Sequence, residues 1–533
     1  MYKGELREEI AEMIKKSQKE KPLADLLREY IRSDRVSLHI PGHKGGGGIS
    51  EGTAQLEGLF SREVLRADIT EIDGFDDFHC PEGVIARAQE LAADLFGAEE
   101  TFFLVNGTTS GIIAAVAAAA SEGETILVGR DCHKSVIRGL IFSGAMPVYV
   151  ENEFDASLGI PCGISVSAVR TALERNPGVR ALILTNPSYY GTCSQLKEIT
   201  ELCHSRGVQV IADEAHGAQL QFAPQEGICS ALTAGCDISV QSTHKMLGSL
   251  TQSSMLHVSG DLVDRERLRY LVHLMSTTSP SYLLMASLDA VRGNMARNGA
   301  EVWRKIHSIV DEAAARIGSI PEIRCISEYT DADGVPRKIE RSRLLISAWE
   351  MGIGGRDLAD LLSRRYHIDV EFADHLYIIA TAGSGTTERE FLLLESALQE
   401  ISAAQRKSAA ADSGKQNRKN RAENWQSGVQ RNIAPARFRR RPAMTPRKAF
   451  SSRHETVSLS EACGRTAAFD VAVYPPGIPV LYPGEEITKE IRDYLLNELE
   501  GGSHVHGIVR ADGVPRIRVV TGEMESMLFH MYF

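Results

Sequence analysis

A short run near the middle of the chain, Ser242-Thr243-His244-Lys245, sets a lysine amine beside an imidazole and two hydroxyls. It follows the apolar run Asp237-Ile238-Ser239-Val240 and precedes the small polar patch Gly248-Ser249-Leu250-Thr251-Gln252. An ordinary lysine is protonated at neutral pH and is no nucleophile. One held where its charge is disfavoured forms a Schiff base with an aldehyde. By itself the motif carries little weight, because most lysines are solvated surface groups. Three motifs upstream add to it. Asn106-Gly107-Thr108-Thr109-Ser110-Gly111 lies between a strand pattern and a helix pattern, where backbone N–H groups and hydroxyls suit a phosphate dianion, although a plain N-cap uses the same residues. His133, in Asp131-Cys132-His133-Lys134-Ser135, offers a flat imidazole at the start of a crossover. Asp213, in Ala212-Asp213-Glu214-Ala215-His216-Gly217, ends a strand with a carboxylate that could hold a proton on a ring nitrogen.

These motifs need a scaffold that brings them to one edge, and the surrounding pattern supplies one. Strands are expected at 101–105, 125–128, 147–150, 181–184 and 208–212, alternating with helices at 110–120, 134–143, 165–174 and 196–206. Short β-branched runs between helical patterns imply a mostly parallel sheet covered on both faces. In such sheets the ligand sits beyond the carboxyl ends of the strands, where the motifs fall.

Bulk properties narrow the class. The chain has 533 residues, 43% hydrophobic and 24% charged, which is the composition of a soluble globular protein of several domains. A net charge of -11 argues against nucleic acid as a partner and suits a cationic small molecule. The nine cysteines show no CxxC pairing, so neither a metal site nor a disulfide framework is expected, and reduced cytoplasmic thiols are. The first 21 residues lack a signal-peptide core, and the longest apolar run, 111–120, is too short to cross a membrane.

Five segments are expected. Residues 1–60 are an N-terminal arm and the Gly-rich loop, and 61–299 the large ligand-binding domain. Residues 300–402 are a small α+β domain, with strands at 342–347 and 377–381 around a helix at 355–365. Residues 403–450 are rich in Lys and Arg, with Asp412 and Glu423 as their only acids, and read as a flexible basic linker. Residues 451–533 form a C-terminal α+β domain.

Phosphate loop, imidazole, carboxylate at a strand end, then lysine about thirty residues later is the order of the fold-type I pyridoxal phosphate (PLP) enzymes. The chain resembles one branch of them, the bacterial ornithine/lysine/arginine decarboxylases related to the aspartate aminotransferase fold. The resemblance runs through His39-Ile40-Pro41-Gly42-His43-Lys44-Gly45-Gly46 and the motifs around Asn106, Asp213 and Lys245. It continues in Ser276-Thr277-Thr278-Ser279-Pro280, Tyr474-Pro475-Pro476-Gly477-Ile478-Pro479 and Pro483-Gly484-Glu485, the last two being absent from general aminotransferases.

The resemblance implies PLP carried on Lys245, with Thr109, Ser110, Ser242 and His244 on its phosphate side. It implies His133 stacked on the ring, Asp213 paired with the ring nitrogen, and Ala215 and His216 near the other ring face. Thr277 would reach the phosphate region of a neighbouring subunit, so a homodimer or larger homo-oligomer is expected. Glu485 would meet the distal cation of the substrate. The implied reaction removes CO2 from arginine, lysine or ornithine in polyamine metabolism, and we lean to arginine because the chain resembles the short-form enzymes. The larger members carry an N-terminal wing domain and an aromatic residue where this chain has His216. Lys245 or His244 would return the proton. An aminotransferase or Cβ-lyase is the rival reading, and a catalytically silent PLP-binding homologue a more distant one. A transaminase needs an arginine clamp for the α-carboxylate, and none occurs in residues 377–386.

Overall fold

The structure is a computed structural model that describes residues 18–33, 35–46, 56, 58–331, 333–411, 418–433, 438, 440–474 and 478–521. Pro475–Gly477 of the Tyr474 motif and the end of the Gly-rich stretch lie outside the described residues. The five expected strands are present as β1 (Glu100–Leu104), β2 (Thr125–Gly129), β3 (Met146–Val150), β4 (Ala181–Thr185) and β5 (Gln209–Asp213), and two further strands join them, β6 (Ile238–Gln241) and β7 (Ser254–Val258). The chain divides into two compact units. The first holds residues 1–118, 211–305 and 383–385, and the second 119–210, 306–382 and 386–533. The expected large domain, 61–299, is thus shared between the two.

In the first unit β1, β7, β6 and the end of β5 lie side by side in that order. The β5–β6 pair is parallel, as expected. β7 runs antiparallel to both its neighbours, because the connection from β6 holds only the one-turn helix Thr243–Met246 and does not cross over the sheet. Helix α1 (Val84–Phe96) is followed by β1, and helix α2 (Gly107–Ala119) starts two residues after β1 ends. The Ile-Ile-Ala-Ala-Val-Ala-Ala-Ala stretch of α2 is buried on nearly all sides, so it shows no amphipathic stripe. Gly111 is required for its seat: a Cβ there would come within 2.6 Å of Leu104 Cδ1 and 2.8 Å of Val240 Cγ1.

In the second unit β4, β2 and β3 pair in parallel. A four-stranded antiparallel sheet follows, ordered Arg324–Ile326, Arg343–Ser347, Ile378–Thr381, Phe372–Ala373. The end of the chain contributes two three-stranded sheets and the helix Lys489–Glu500 around one apolar core.

The basic stretch departs from its reading as a flexible linker. Arg418–Ile433 is a helix, and Trp425, Val429 and Ile433 are buried against Leu376, Tyr377 and Phe372. Those three residues recur every four positions and so share one helical face. Trp425 Nε1 also donates to the Ser157 carbonyl at 2.9 Å, and the Arg324 guanidinium lies 4.2 Å from its ring. The polar residues dilute the mean hydropathy of the segment without removing this face. Among the described residues no helix is long and apolar enough to cross a membrane, and no cluster of metal-ligating side chains occurs.

Candidate active site

The first unit gathers most of the residues singled out in the sequence. β6 ends at Gln241, and Ser242 opens the short helix Thr243–Met246 that carries Lys245. Lys245 is exposed in this chain, and its Nζ lies 2.9 Å from His216 Nε2. Asp213, at the end of β5, is 3% exposed. Burial pushes its carboxyl up to about 6, while the nearby Lys245 charge and the Ala215 N–H, at 3.3 Å, pull the other way. Desolvation therefore outweighs its partners here. The geometry leaves a buried carboxylate with one long backbone hydrogen bond, ready for a further donor.

His244 is fixed differently. Its Nδ1 lies 2.8 Å from the Ser253 carbonyl, which can only accept, so Nδ1 carries the proton and Nε2 keeps a free lone pair. Burial holds this imidazole below its ordinary range, against the pull of the Ser253 carbonyl. The ring is therefore neutral at pH 7.

The turn from β1 to α2 lies beside the lysine turn. Thr108 Oγ1 is 2.6 Å from Ser242 Oγ and 3.1 Å from Ser254 Oγ, which ties the two turns together. Ser110 Oγ donates to the Gly107 carbonyl at 2.9 Å, and Thr109 is half-buried between them. Gly107 itself has φ +75°, a conformation that favours glycine. Its left-handed backbone opens the helix, whose first N–H groups have no intrahelical partner. Thr277 is exposed on the loop after helix Arg265–Leu274, where its carbonyl meets His79 Nε2 at 3.0 Å. Asn106 Nδ2 donates to the Met275 carbonyl of the same loop at 3.3 Å.

Sequence reasoning missed one neighbour of the lysine turn. Residues 383–385 belong to the first unit, and Ser384 N donates to the Met246 carbonyl at 2.9 Å. A Cβ on Gly383 would come 3.4 Å from the Lys245 carbonyl. The Gly-Ser-Gly composition was the only local signal, and it does not by itself point to the lysine turn. This segment therefore brings backbone, and no arginine, to the lysine turn.

Two expected residues lie in the second unit. His133 caps the helix Lys134–Ser143, its Nδ1 accepting from Ser135 N at 3.2 Å and lying 2.8 Å from Ser135 Oγ. Accepting at Nδ1 places the ring proton on Nε2. Glu485 is the clearest departure from expectation. It is 1% exposed, it pairs with Arg130 at 3.1 Å, and it accepts from Tyr482 N at 2.8 Å. Arg130 also lies over the Tyr482 ring at 3.4 Å. Its carboxylate is occupied within its own unit, so it is not available as a free anion for a substrate cation. Nothing local marks Arg130 as its partner, because the two stand 355 residues apart.

Comparison with known proteins identifies the family. The Orn/Lys/Arg decarboxylase major domain matches residues 21–331, and the C-terminal domain of the same family matches 430–519. The arginine decarboxylase of Halalkalibacterium halodurans is 38% identical over 494 residues, covering 92% of this chain and 96% of that protein. The arginine decarboxylase of Bacillus subtilis is 36% identical, with 92% and 96% covered. Among solved structures, the constitutive lysine decarboxylase of E. coli superposes with a TM-score of 0.80 at 21% identity, covering 94% of this chain and 82% of that one, a likeness of fold. On its matched domains, its relatives and its fold, this chain belongs to the Orn/Lys/Arg decarboxylase family.

Proposed function

We propose that this chain decarboxylates a basic amino acid with PLP as cofactor, and that arginine is its substrate. The observation that carries the reading is the cluster of Lys245, His216 and Asp213, an amine within hydrogen-bond reach of an imidazole beside a buried, under-bonded carboxylate. The choice of arginine rests on relatives of 35–38% identity over most of the chain that carry that name.

The residues present fit PLP. A buried carboxylate with room for one more donor suits a protonated ring nitrogen, so Asp213 would face it. Thr109, Ser110 and Ser242, with the first N–H groups of α2, would hold the phosphate. Ala215 and His216 would lie near one face of the ring, and Lys245 would hold the cofactor covalently. When bound, PLP supplies a sink for the electron pair released as CO2 departs.

The chain's own part is protonic and steric. As an ammonium, Lys245 donates to His216 Nε2, which places the His216 proton on Nδ1. Lys245 Nζ returns a proton to the carbon that lost CO2, and His244 Nε2 accepts or relays one beside it. Gly383 and Ser384 close the lysine turn without offering a cation to the substrate carboxylate. Retaining that group by an ion pair would oppose its departure, so the missing clamp favours decarboxylation over transamination. Thr277, exposed here, would complete the site of a second copy in a homodimer. The nine free cysteines support a reducing, cytoplasmic setting, and the product amine places the reaction in polyamine formation.

The test is CO2 release from arginine, lysine and ornithine in parallel, with PLP present and the amine identified by mass. Release from arginine above the other two is expected. Intact visible absorbance of bound PLP with no CO2 from any of the three would overturn the reading.

A further inference from the structure

The face of the sheet turned away from α2 carries an unbroken chain of buried polar side chains. Glu214 directly follows Asp213 and so turns to the opposite face. Its carboxylate accepts from Ala231 N at 2.8 Å, Ser239 Oγ at 2.6 Å and Gln241 Nε2 at 2.8 Å. Gln241 Oε1 lies 3.2 Å from His257 Nε2, and His257 Nδ1 lies 2.8 Å from Thr101 Oγ1. The ladder thus crosses β5, β6, β7 and β1, with its members 0–3% exposed. Phe96 of α1 covers it, its ring 4.6 Å from that of His257.

With Glu214 ionised, every hydrogen in this ladder has one direction, and Glu214 sets it. The Ala231 N–H can only donate, so it claims Oε1. Gln241 must offer its amide N–H to Oε2, which leaves its carbonyl for His257. His257 must then carry its proton on Nε2 and accept the Thr101 hydroxyl at Nδ1. Burial keeps that imidazole neutral, down to about 3.

The ladder's place explains its use. Glu214 adjoins Asp213, and Gln241 adjoins Ser242, so the ladder ties together from behind the two strand ends that bear the site. Asp213 has little of its own to hold it, since the hydrogen bond its carboxylate accepts from Ala215 N is long, at 3.3 Å. We propose that Glu214 is a positioning residue for the decarboxylation: it orders the Gln241–His257–Thr101 ladder and thereby fixes Asp213 and the Ser242–Lys245 turn relative to each other. This rests on the function proposed above. Neither the order of motifs nor their chemistry assigns Glu214 a role.

Glu214→Gln is the incisive variant. Its oxygen must still take the Ala231 N–H, so its new amide faces Gln241. Gln241 must then reverse, and His257 must move its proton to Nδ1 and donate to Thr101. On the PLP-loaded enzyme we expect kcat to fall by about 10- to 100-fold with KM little changed, as for a site misplaced from outside the chemistry. We also expect altered visible absorbance of bound PLP and a reversed 15N tautomer pattern for His257, assigned by its loss in His257→Gln. Glu214→Asp, which keeps the acceptor, should recover part of kcat. Wild-type kcat and absorbance in Glu214→Gln would overturn the proposal, and so would a fall in kcat with the His257 tautomer unreversed. If Glu214→Gln does not fold, Gln241→Met cuts the ladder on its other side and is read by kcat and absorbance, with wild-type values again decisive against it. A wild-type enzyme that binds no PLP or releases no CO2 would instead count against the proposed function.

Discussion

The two acids at the end of β5 and two acids of the C-terminal segment are buried in opposite ways. Beside the lysine turn of the first unit, Asp213 and Glu214 lie inside without a bonded cation. Burial drives Asp213 up to about 6 and Glu214 to about 7, only partly offset by Lys245 and Ala215 for the former and by Ser239, Gln241 and Ala231 for the latter. In the second, Glu485 is locked to Arg130 at 3.1 Å, and Glu498 is bonded to His375 at 2.6 Å and Arg356 at 3.0 Å. Burial works against Glu498 too, but His375, Ser503 and Arg356 together hold it down at about 2. A carboxylate left short of partners costs stability and keeps a capacity to bind a proton or a cationic ring. One that is saturated secures the fold and has nothing left to offer. That is why Asp213 reads as chemistry and Glu485 as architecture, although both are acids in motifs of the same family.

Four experiments can break this contrast or sharpen it. The largest effect belongs to Lys245→Ala, which should abolish turnover and the visible absorbance of bound PLP, as read by spectrophotometry and CO2 release. Retention of either would remove the chemical half of the comparison. Next, Asp213→Asn should lower kcat by about 10²–10³-fold, the range for deleting one electrostatic group of a site. Its apo-protein should melt no lower than wild type at pH 7, because an under-bonded buried charge has been removed. A clear loss of apo stability would mean that Asp213 is structural after all.

On the other side of the contrast, Arg130→Met should destabilise the protein by about 3–5 kcal/mol, since it strands the Glu485 charge inside. The double variant Arg130→Met/Glu485→Leu should recover much of this in urea melts, giving a large coupling energy. Additive losses would show the pair to be energetically silent. The smallest effect is on pH dependence. Glu498 has an ordinary value of 4.5 and a folded value of about 2, so its contribution is full above 4.5 and is lost as pH falls towards 2. Asp213 and Glu214 act with the reverse sign: their cost is absent below about 4 and grows as pH rises to about 7. Glu498→Gln should therefore flatten the acid limb of apo stability, and Glu214→Gln the rise in cost between 4.5 and 7. Thermal melts at pH 3, 5 and 7 read both, and identical profiles would refute the assignment.

Much of the site is legible in the sequence. The strands and helices from residue 100 to 213 fall within a few positions of their expected places, because each is set by a local apolar period and a local cap or glycine. The lysine turn, the Asp213 strand end and the Gly107 loop were found for the same reason: each is one contiguous motif. The helix at 418–433 was legible in principle, through Trp425, Val429 and Ile433 at four-residue spacing, but its basic residues masked the face.

What the amino-acid order determined by itself was which chemical groups exist and which local element carries each: an amine on a turn, a carboxylate at a strand end, N–H groups at a helix start. Only the tertiary structure decided which of those groups stay open. Glu485 finds Arg130 across 355 residues, Trp425 finds the Ser157 carbonyl across 268, and Glu214 finds Gln241 because β5 and β6 pair in parallel. A side chain's partners depend on chain closure over long separations, and its reactivity depends on those partners. The sign of each buried acid's response was therefore fixed by the fold and not by the motif that contains it.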